Sequence, residues 1–303
     1  MVSLQNKPIR LNRYFLPIGI ILLSLPFLVG INHPFKKCQS ADYTVLKVYD
    51  LPYKVRETSG LIYYNNLIWT FNDSGGEPEL FAWSEKDSAI VKRVTLWNAY
   101  NFDWEDIAQD STYIYVGDIG NNFGSRGNLC IYRIAKKHLL KKGNKAVRAE
   151  KISYTYPNYK PVSYLSFKRS SFDCEAIVYC NDSIYLFSKD WKTFHSIVYS
   201  IPAKPGDYLA HKICAFDSEG LITAADYDGK QLILLGYKDN MSFLWIFKSL
   251  TDFNIAGQVG KRIDLVDFRG AQTEGIAIKD SHTIYISNEK CGINQRLWEV
   301  RIR

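Results

Sequence analysis

Histidine is scarce in this chain, five in 303 residues, and methionine scarcer at two. His33, His138, His195, His211 and His282 all lie apart from the motifs that recur along the chain, so a Ser-His-Asp triad lacks its base. No G-x-S-x-G elbow occurs, and Ser59, in Glu57-Thr-Ser-Gly60, reads as a turn serine rather than a nucleophile. The cysteines, Cys38, Cys130, Cys174, Cys180, Cys214 and Cys291, include no Cys-x-x-Cys pair, which removes the usual zinc signature. Cys174 and Cys180 fall on one β-rich run, too far apart along an extended chain to bridge. What remains for chemistry is oxygen: carboxylates, amides and backbone.

Acidic residues are absent from the first 41 positions, which hold Lys7, Arg10, Arg13, Lys36 and Lys37. Subtracting those five from 38 basic residues leaves 33 against 31 acids in the rest of the chain, so most of the net charge of +7 belongs to that segment. A chain otherwise balanced does not describe a polyanion-binding surface, and no nucleic-acid partner is expected. Tyr14 to Ile31 is an 18-residue run without a charge, which suits a membrane span or a signal-peptide h-region. The cations before it place residues 1–13 in the cytoplasm, 14–31 in the membrane as an anchor, 32–41 as a linker and 42–303 outside, periplasmic or at the cell surface. Cleavage would make the protein secreted; Cys38-Gln39-Ser40 offers small residues, but late, and Phe35-Lys36-Lys37 is too bulky and charged for lipoprotein processing at Cys38.

From residue 42 onward a repeat organises the chain. Five segments share one plan: an acid, a small or apolar run, a turn, a β-rich run and a polar end. They are Glu57–Leu61 leading to Leu67–Asp73, Asp103–Ala108 to Tyr113–Asp118, Asp173–Ile177 to Ser183–Lys189, Thr223–Asp226 to Gln231–Tyr237, and Gln272–Ala277 to Thr283–Glu289. With Glu57, Glu105, Glu175, Asp226 and Glu274 as markers the spacings are 48, 70, 51 and 48; the long interval contains Ala135–Arg148, a lysine-rich loop or short amphipathic insertion. A third β-rich run follows each pair, and usually a fourth, such as Lys151–Tyr156. Four short strands per ~40–50 residues describe an all-β, four-stranded antiparallel β-propeller, with five blades favoured over six. Tyr43–Val48 is the strand expected to close the ring on the last blade.

In a propeller the first strand of each blade lines the central channel, so the five markers are expected around one mouth, with Asp103, Asp106 and Asp173 beside them. Carboxylates gathered there repel one another unless protonated, paired with a base such as Lys189, or gathered around a cation. Each acid can equally cap a tight inter-blade turn by accepting backbone N–H groups. The second runs end in NDSGG, with Asp73, and GDIGNN, with Asp118 and Asn121, and in Lys189 and Glu289. Such glycine-punctuated, oxygen-rich loops suit a hard cation such as Ca²⁺, although neither is an EF-hand and hairpin turns use the same residues. The candidate ligand-binding set is thus Glu57, Asp73, Asp103, Glu105, Asp106, Asp118, Asn121, Asp173, Glu175, Lys189, Asp226, Glu274 and Glu289, the five markers being the candidate metal ligands.

NDSGG, DWEDIA, GDIGNN followed by Arg126 and Ile131–Ile134, DCEAI, ITAADYDG and QTEGIA together resemble a group of bacterial secreted or membrane-anchored β-propellers related to the phytase-like (esterase-like) and SdiA-regulated families. The likeness covers about residues 55–303 and implies an acidic central mouth and calcium. The fourth repeat departs from the Glu pattern, with Asp226 behind Ala224-Ala225. Two functions follow as expectations: an extracytoplasmic, membrane-anchored propeller that binds a small molecule or protein through Ca²⁺ at the mouth, or a metal-dependent hydrolase of a phosphate or carboxylic ester, with a glycoside less favoured. Exposed tryptophan at the mouth would mark a sugar site; Trp104 is the candidate, with packing between blades its other role.

Overall fold

The computed structural model describes residues 42–163, 170–250 and 252–303. The apolar run Tyr14–Ile31 lies outside them, and among the described residues no helix is long and apolar enough to cross a membrane. After β1 (Tyr43–Asp50), four strands form the first blade: β2 (Thr58–Tyr64), β3 (Leu67–Asn72), β4 (Glu79–Ser84) and β5 (Ala89–Leu96). The second holds β6 (Trp104–Gln109), β7 (Tyr113–Asp118) and β8 (Cys130–Ala135); after the short β9 (Lys145–Val147), β10 (Glu150–Thr155) completes it. The third has β11 (Asp173–Cys180), β12 (Ser183–Lys189) and β13 (His195–Pro202), then β14 (Gly206–Leu209) and its outer strand β15 (His211–Asp217). The fourth is β16 (Leu221–Tyr227), β17 (Gln231–Lys238), β18 (Met241–Lys248) and β19 (Lys261–Leu265). The fifth is β20 (Thr273–Ile278), β21 (Thr283–Asn288) and β22 (Arg296–Ile302), closed on its outer edge by antiparallel β1. The chain is a five-bladed β-propeller, with the ring locked as the repeat predicts.

Alternation along the strands builds the core. Side chains of a strand point to opposite faces in turn, and a blade is covered on both faces, so its middle strands read as continuous apolar runs. Leu232 and Leu234 of β17 join the cluster shared with the third blade, whereas Ile233 and Leu235 join the one shared with the fifth. Ile114 and Val116 of β7 likewise pack toward the first blade and Tyr115 toward the third. Five such clusters fill the five seams, each buried aliphatic side chain contributing about 1.5–3 kcal/mol of burial. Trp104 is fully buried at one seam, 5.4 Å from Phe71 edge-on, which settles its role as packing. The described cysteines are free thiols.

The lysine-rich insertion is not a free loop. Its β9 adds in parallel to the outer edge of β5, and β14 adds in parallel to β10, so two blades gain a fifth strand supplied by the next blade. Asn144 Oδ1 accepts the Arg93 N–H at 3.0 Å along that edge.

Candidate functional site

Each inner strand carries a register shift near its start, and these β-bulges fix which residues are equivalent. Pairing skips Glu105 on β6, Glu175 on β11, Thr223 on β16 and Glu274 on β20, and is irregular between Ser59 and Ile62 on β2. The tier at the bulge is therefore Glu105, Glu175, Thr223 and Glu274; Ser59, itself paired with Phe71, takes the matching place in the first blade, because Asp73 N–H bonds to Glu57 O as Ile119 N–H bonds to Asp103 O. A second tier caps the second strands: Asp73 and Glu289 bond through backbone N–H to Glu57 and Gln272, Ile119 bonds likewise to Asp103, and Lys189 pairs with Asp173. Tyr237 stands opposite Leu221 in the fourth blade. The marker set is corrected at two places: Glu57 stands two residues before Ser59, level with Asp103, and Asp226 three residues after Thr223. Acid identity alone aligned those positions; backbone pairing does not.

Asp226 and Asp106 serve the fold instead. Asp106 Oδ1 accepts its neighbour Ile107 N–H at 2.8 Å, while Oδ2 accepts Ile177 N–H at 2.9 Å and Ala225 N–H at 3.2 Å, tying the second blade to the third and fourth. Asp226 accepts Tyr227 N–H at 2.8 Å and Ile278 N–H at 2.7 Å, tying the fourth blade to the fifth. Burial pushes Asp226 up to about 7 and Asp106 well above the usual carboxylate range, with these N–H groups pulling the other way. Gly60 is needed beside them: at φ +58° its Cα lies so close that an added Cβ would stand 2.9 Å from Asp106 Cα.

The GDIGNN loop is also held by its own polar groups. Asp118 Oδ1 accepts from Arg126 at 2.6 Å and from Asp103 N–H at 3.1 Å, and Arg126 donates to Gly120 O at 2.7 Å. Asn121 donates its N–H to Asp173 Oδ1 at 2.8 Å and its amide to Tyr159 Oη at 2.9 Å. Asp173 Oδ2 accepts from Trp191 Nε1 at 3.2 Å. Asp118, Asn121 and Asp173 are thereby positioning groups. Glu57 is half-exposed beside Arg56 at 3.4 Å, at the rim.

What gathers at the mouth is Asp73, Asp103 and Glu105, with one carboxylate oxygen from each lying within 4.8 Å of the others. Glu105 is only 7% exposed, and its carboxylate has neither a hydrogen bond nor an ion pair among the described residues. Asp73 Oδ1 is buried with no partner either. The cradle under them is Gly120, where an added Cβ would fall 2.3 Å from Glu105 Oε1 and 2.4 Å from Asp103 Oδ2. Burial and then neighbouring acids, Asp103 and Glu274 foremost, push Asp73 well above its ordinary range; burial and then Asp73 and Glu175 do the same to Glu105. Burial lifts Asp103 to about 7 against the pull of Arg126, and burial with Glu274 lifts Glu289 to about 9. Glu274 also rises through burial, although Gln272 donates to it at 2.7 Å.

The opposite side of the mouth differs. Lys189 is ion-paired with Glu175 and sits 4.7 Å from the ring of Trp191 and 5.8 Å from that of Tyr237. Burial, the largest single influence, opposes its charge, but Glu175, Tyr237 and Asp173 together overcome it and hold Lys189 above the usual lysine range. Glu175 itself stays raised, burial exceeding the pull of Lys189. Residue counting along the sequence finds the acids and Lys189 but misses Trp191, Tyr237 and the Gly120 cradle. Their signal is positional: Tyr237 follows Gly236 where other blades place Asp73, Lys189 and Glu289.

The fold and site define the class, a five-bladed propeller with an asymmetric acidic mouth. No protein-family model matches the chain, and no curated relative does. Solved structures similar to it include the major allergen Mala s 1 of Malassezia sympodialis, at 11% identity and TM-score 0.51 over 84% of this chain and 95% of that one. They also include the PQQ-bound aldose sugar dehydrogenase of Streptomyces coelicolor, at 9% identity and TM-score 0.48 over 86% and 98%. A third is the calcium-binding protein regucalcin of Agrobacterium tumefaciens, at 12% identity and TM-score 0.40 over 82% and 92%. At such identities these likenesses concern the propeller fold alone, and the resemblance to phytase-like and SdiA-regulated propellers rests on the motifs.

Proposed function

We propose that the protein is an extracytoplasmic propeller, anchored through Tyr14–Ile31, that binds a divalent cation at its mouth and holds a ligand there. Asp73, Asp103 and Glu105 are its ligands, with Glu274 and Glu289 at hand, and Ca²⁺ is the ion that suits an all-oxygen, carboxylate-rich set. The observation that carries this reading is Glu105: a buried carboxylate without a donor among the described residues, facing two other carboxylates, is costly unless a proton or a cation joins it. Calcium titration of the full chain in detergent tests it, read by calorimetry and by melting temperature. Saturable binding with a raised melting temperature, lost in Glu105→Gln, is expected; an unmoved parent protein would sink the reading.

Hydrolysis of a phosphate or carboxylic ester is the second reading, favoured by the rise of Asp103 to about 7, where a general base works well. The same cation that would activate water stabilises ionised Asp103, however, and turns the base into a ligand. Binding is therefore the better-supported function. Turnover of an ester or phosphate substrate by the calcium-loaded chain would reverse that ranking.

A further inference from the structure

The large aromatic side chains most exposed among the described residues are Tyr53, Trp97, Tyr100, Phe102 and Phe194. All five stand at the mouth end of the blades, and none on the opposite turns. Tyr53 precedes β2, Phe194 lies between β12 and β13 beyond Lys189, and the other three occupy the β5–β6 connection that leads into Asp103. Sorting to one face, with three of the five rings in a single connection, departs from scattered exposure.

Within that rim one ledge adjoins the carboxylates. Tyr100 is 70% exposed, Phe102 53% and Trp97 61%, and the Tyr100 and Phe102 ring centroids lie 5.7 Å apart. The ledge is pinned beneath: Tyr100 N–H donates to Tyr132 Oη at 3.2 Å, its carbonyl accepts Trp104 Nε1 at 2.9 Å, and the Asn101 amide donates to Asn72 O at 2.9 Å and to Asp73 O. A platform already ordered loses little entropy on binding. Because Asn101 bonds Asp73 O and Phe102 directly precedes Asp103, the ledge and the proposed cation ligands are joined through the backbone.

Two ligand chemistries pair aromatic faces with acids: a basic peptide and a carbohydrate. Three of the five rings already face cations of this chain, Arg126 at 5.8 Å from Phe102, Arg56 and Lys290 at 5.0 and 5.3 Å from Tyr53, and Lys238 at 5.6 Å from Phe194. A divalent cation would further cancel most of the charge of Asp73, Asp103 and Glu105, which removes the attraction for a basic partner. An ion held by three carboxylates has coordination positions left for neutral oxygens. Resting on the cation reading above, we propose that the mouth takes a carbohydrate, whose ring C–H face stacks on Tyr100 and Phe102 while neighbouring hydroxyls complete the coordination of the cation at Asp73, Asp103 and Glu105.

The test uses the full chain in a detergent without a sugar headgroup. Maltotetraose, cellotetraose, xylotetraose and chitotetraose are titrated calorimetrically with Ca²⁺ present and with EGTA, and tetralysine serves as the basic probe. At least one sugar is expected to bind with Ca²⁺ and not with EGTA. Tyr100→Ala combined with Phe102→Ala should weaken it roughly tenfold or more, in line with the loss of two interface aromatics, with Ca²⁺ binding and melting temperature unchanged. The proposal is overturned if calcium binds and no sugar does, if the double variant binds sugar as well as the parent, or if tetralysine binds where the sugars do not. A chain that binds no Ca²⁺ overturns the cation reading and this bridging role together, so the two failures are told apart.

Discussion

Two sets of buried carboxylates lie a few residues apart in this propeller, and they differ in what faces them. Asp106 and Asp226 are met by backbone N–H groups of neighbouring blades. Glu105, the residue just before Asp106, is met by Asp73 and Asp103. Both sets are desolvated and both are pushed toward protonation by burial first. The first set has its donors and works as staples; the second has none among the described residues and gains from a proton or a cation. Recurrence of an acid near the start of a blade therefore does not identify a site. The partner of its oxygens does.

Breaking the staple should have the largest effect. Asp106→Ala removes the acceptor for Ile177 N–H and Ala225 N–H at the centre of the ring, and two buried N–H groups left unpaired should cost about 3–5 kcal/mol in urea unfolding. Glu105→Gln should behave in the opposite way. Its loss removes repulsion from Asp73 and Asp103, so the calcium-free protein should unfold no earlier than the parent, whereas Ca²⁺ affinity should fall on the order of tenfold to a hundredfold, as expected where ligand charge sets affinity. If Glu105→Gln destabilises the calcium-free chain as Asp106→Ala does, the two sets are not distinct.

The pH dependence sharpens the same contrast. Asp103 is lifted to about 7 and Glu289 to about 9, both above their unfolded values, so the folded state holds protons that the unfolded state has released. Their favourable contribution is complete below pH ~4, where both states are protonated, and is lost as pH rises through about 7 and then about 9. The calcium-free protein should therefore lose melting temperature across that window. Saturating Ca²⁺ replaces the protons and should flatten or reverse the slope. A calcium-free melting temperature that rises from pH 5 to 9 would contradict the environment described for these acids.

The blade count, the closing strand and the third and fourth strands are legible because two-sided burial writes apolar runs into the sequence, as Leu232–Leu235 shows. Asp73, Asp103, Glu105, Glu175, Lys189, Glu274 and Glu289 are legible as polar residues at strand ends. The equivalence among blades is not, because a β-bulge shifts pairing by one residue without a fixed composition: the bulge tier holds Thr223 as well as three glutamates, with Ser59 in the matching place. The role of Asp106 is hidden for another reason, since its partners, Ile177 and Ala225, lie 71 and 119 residues away and donate through backbone. The parallel additions of β9 and β14 are equally silent, being edge pairings between blades.

Glu57 offers the smallest and most discriminating test of the corrected register. Counted as a marker, it belongs with Glu105 and should bind the cation; placed by backbone pairing, it lies level with Asp103, two residues before Ser59, half-exposed beside Arg56. An ion pair so exposed is screened by solvent and contributes little. Glu57→Gln should therefore change unfolding free energy by no more than about 0.5 kcal/mol, the scale of an ordinary surface substitution. Ca²⁺ affinity should shift only slightly, through the field Glu57 exerts on Glu289 rather than through coordination. A loss of calcium binding equal to that of Glu105→Gln would restore Glu57 to the proposed ligand set and move the proposed cation site toward the rim.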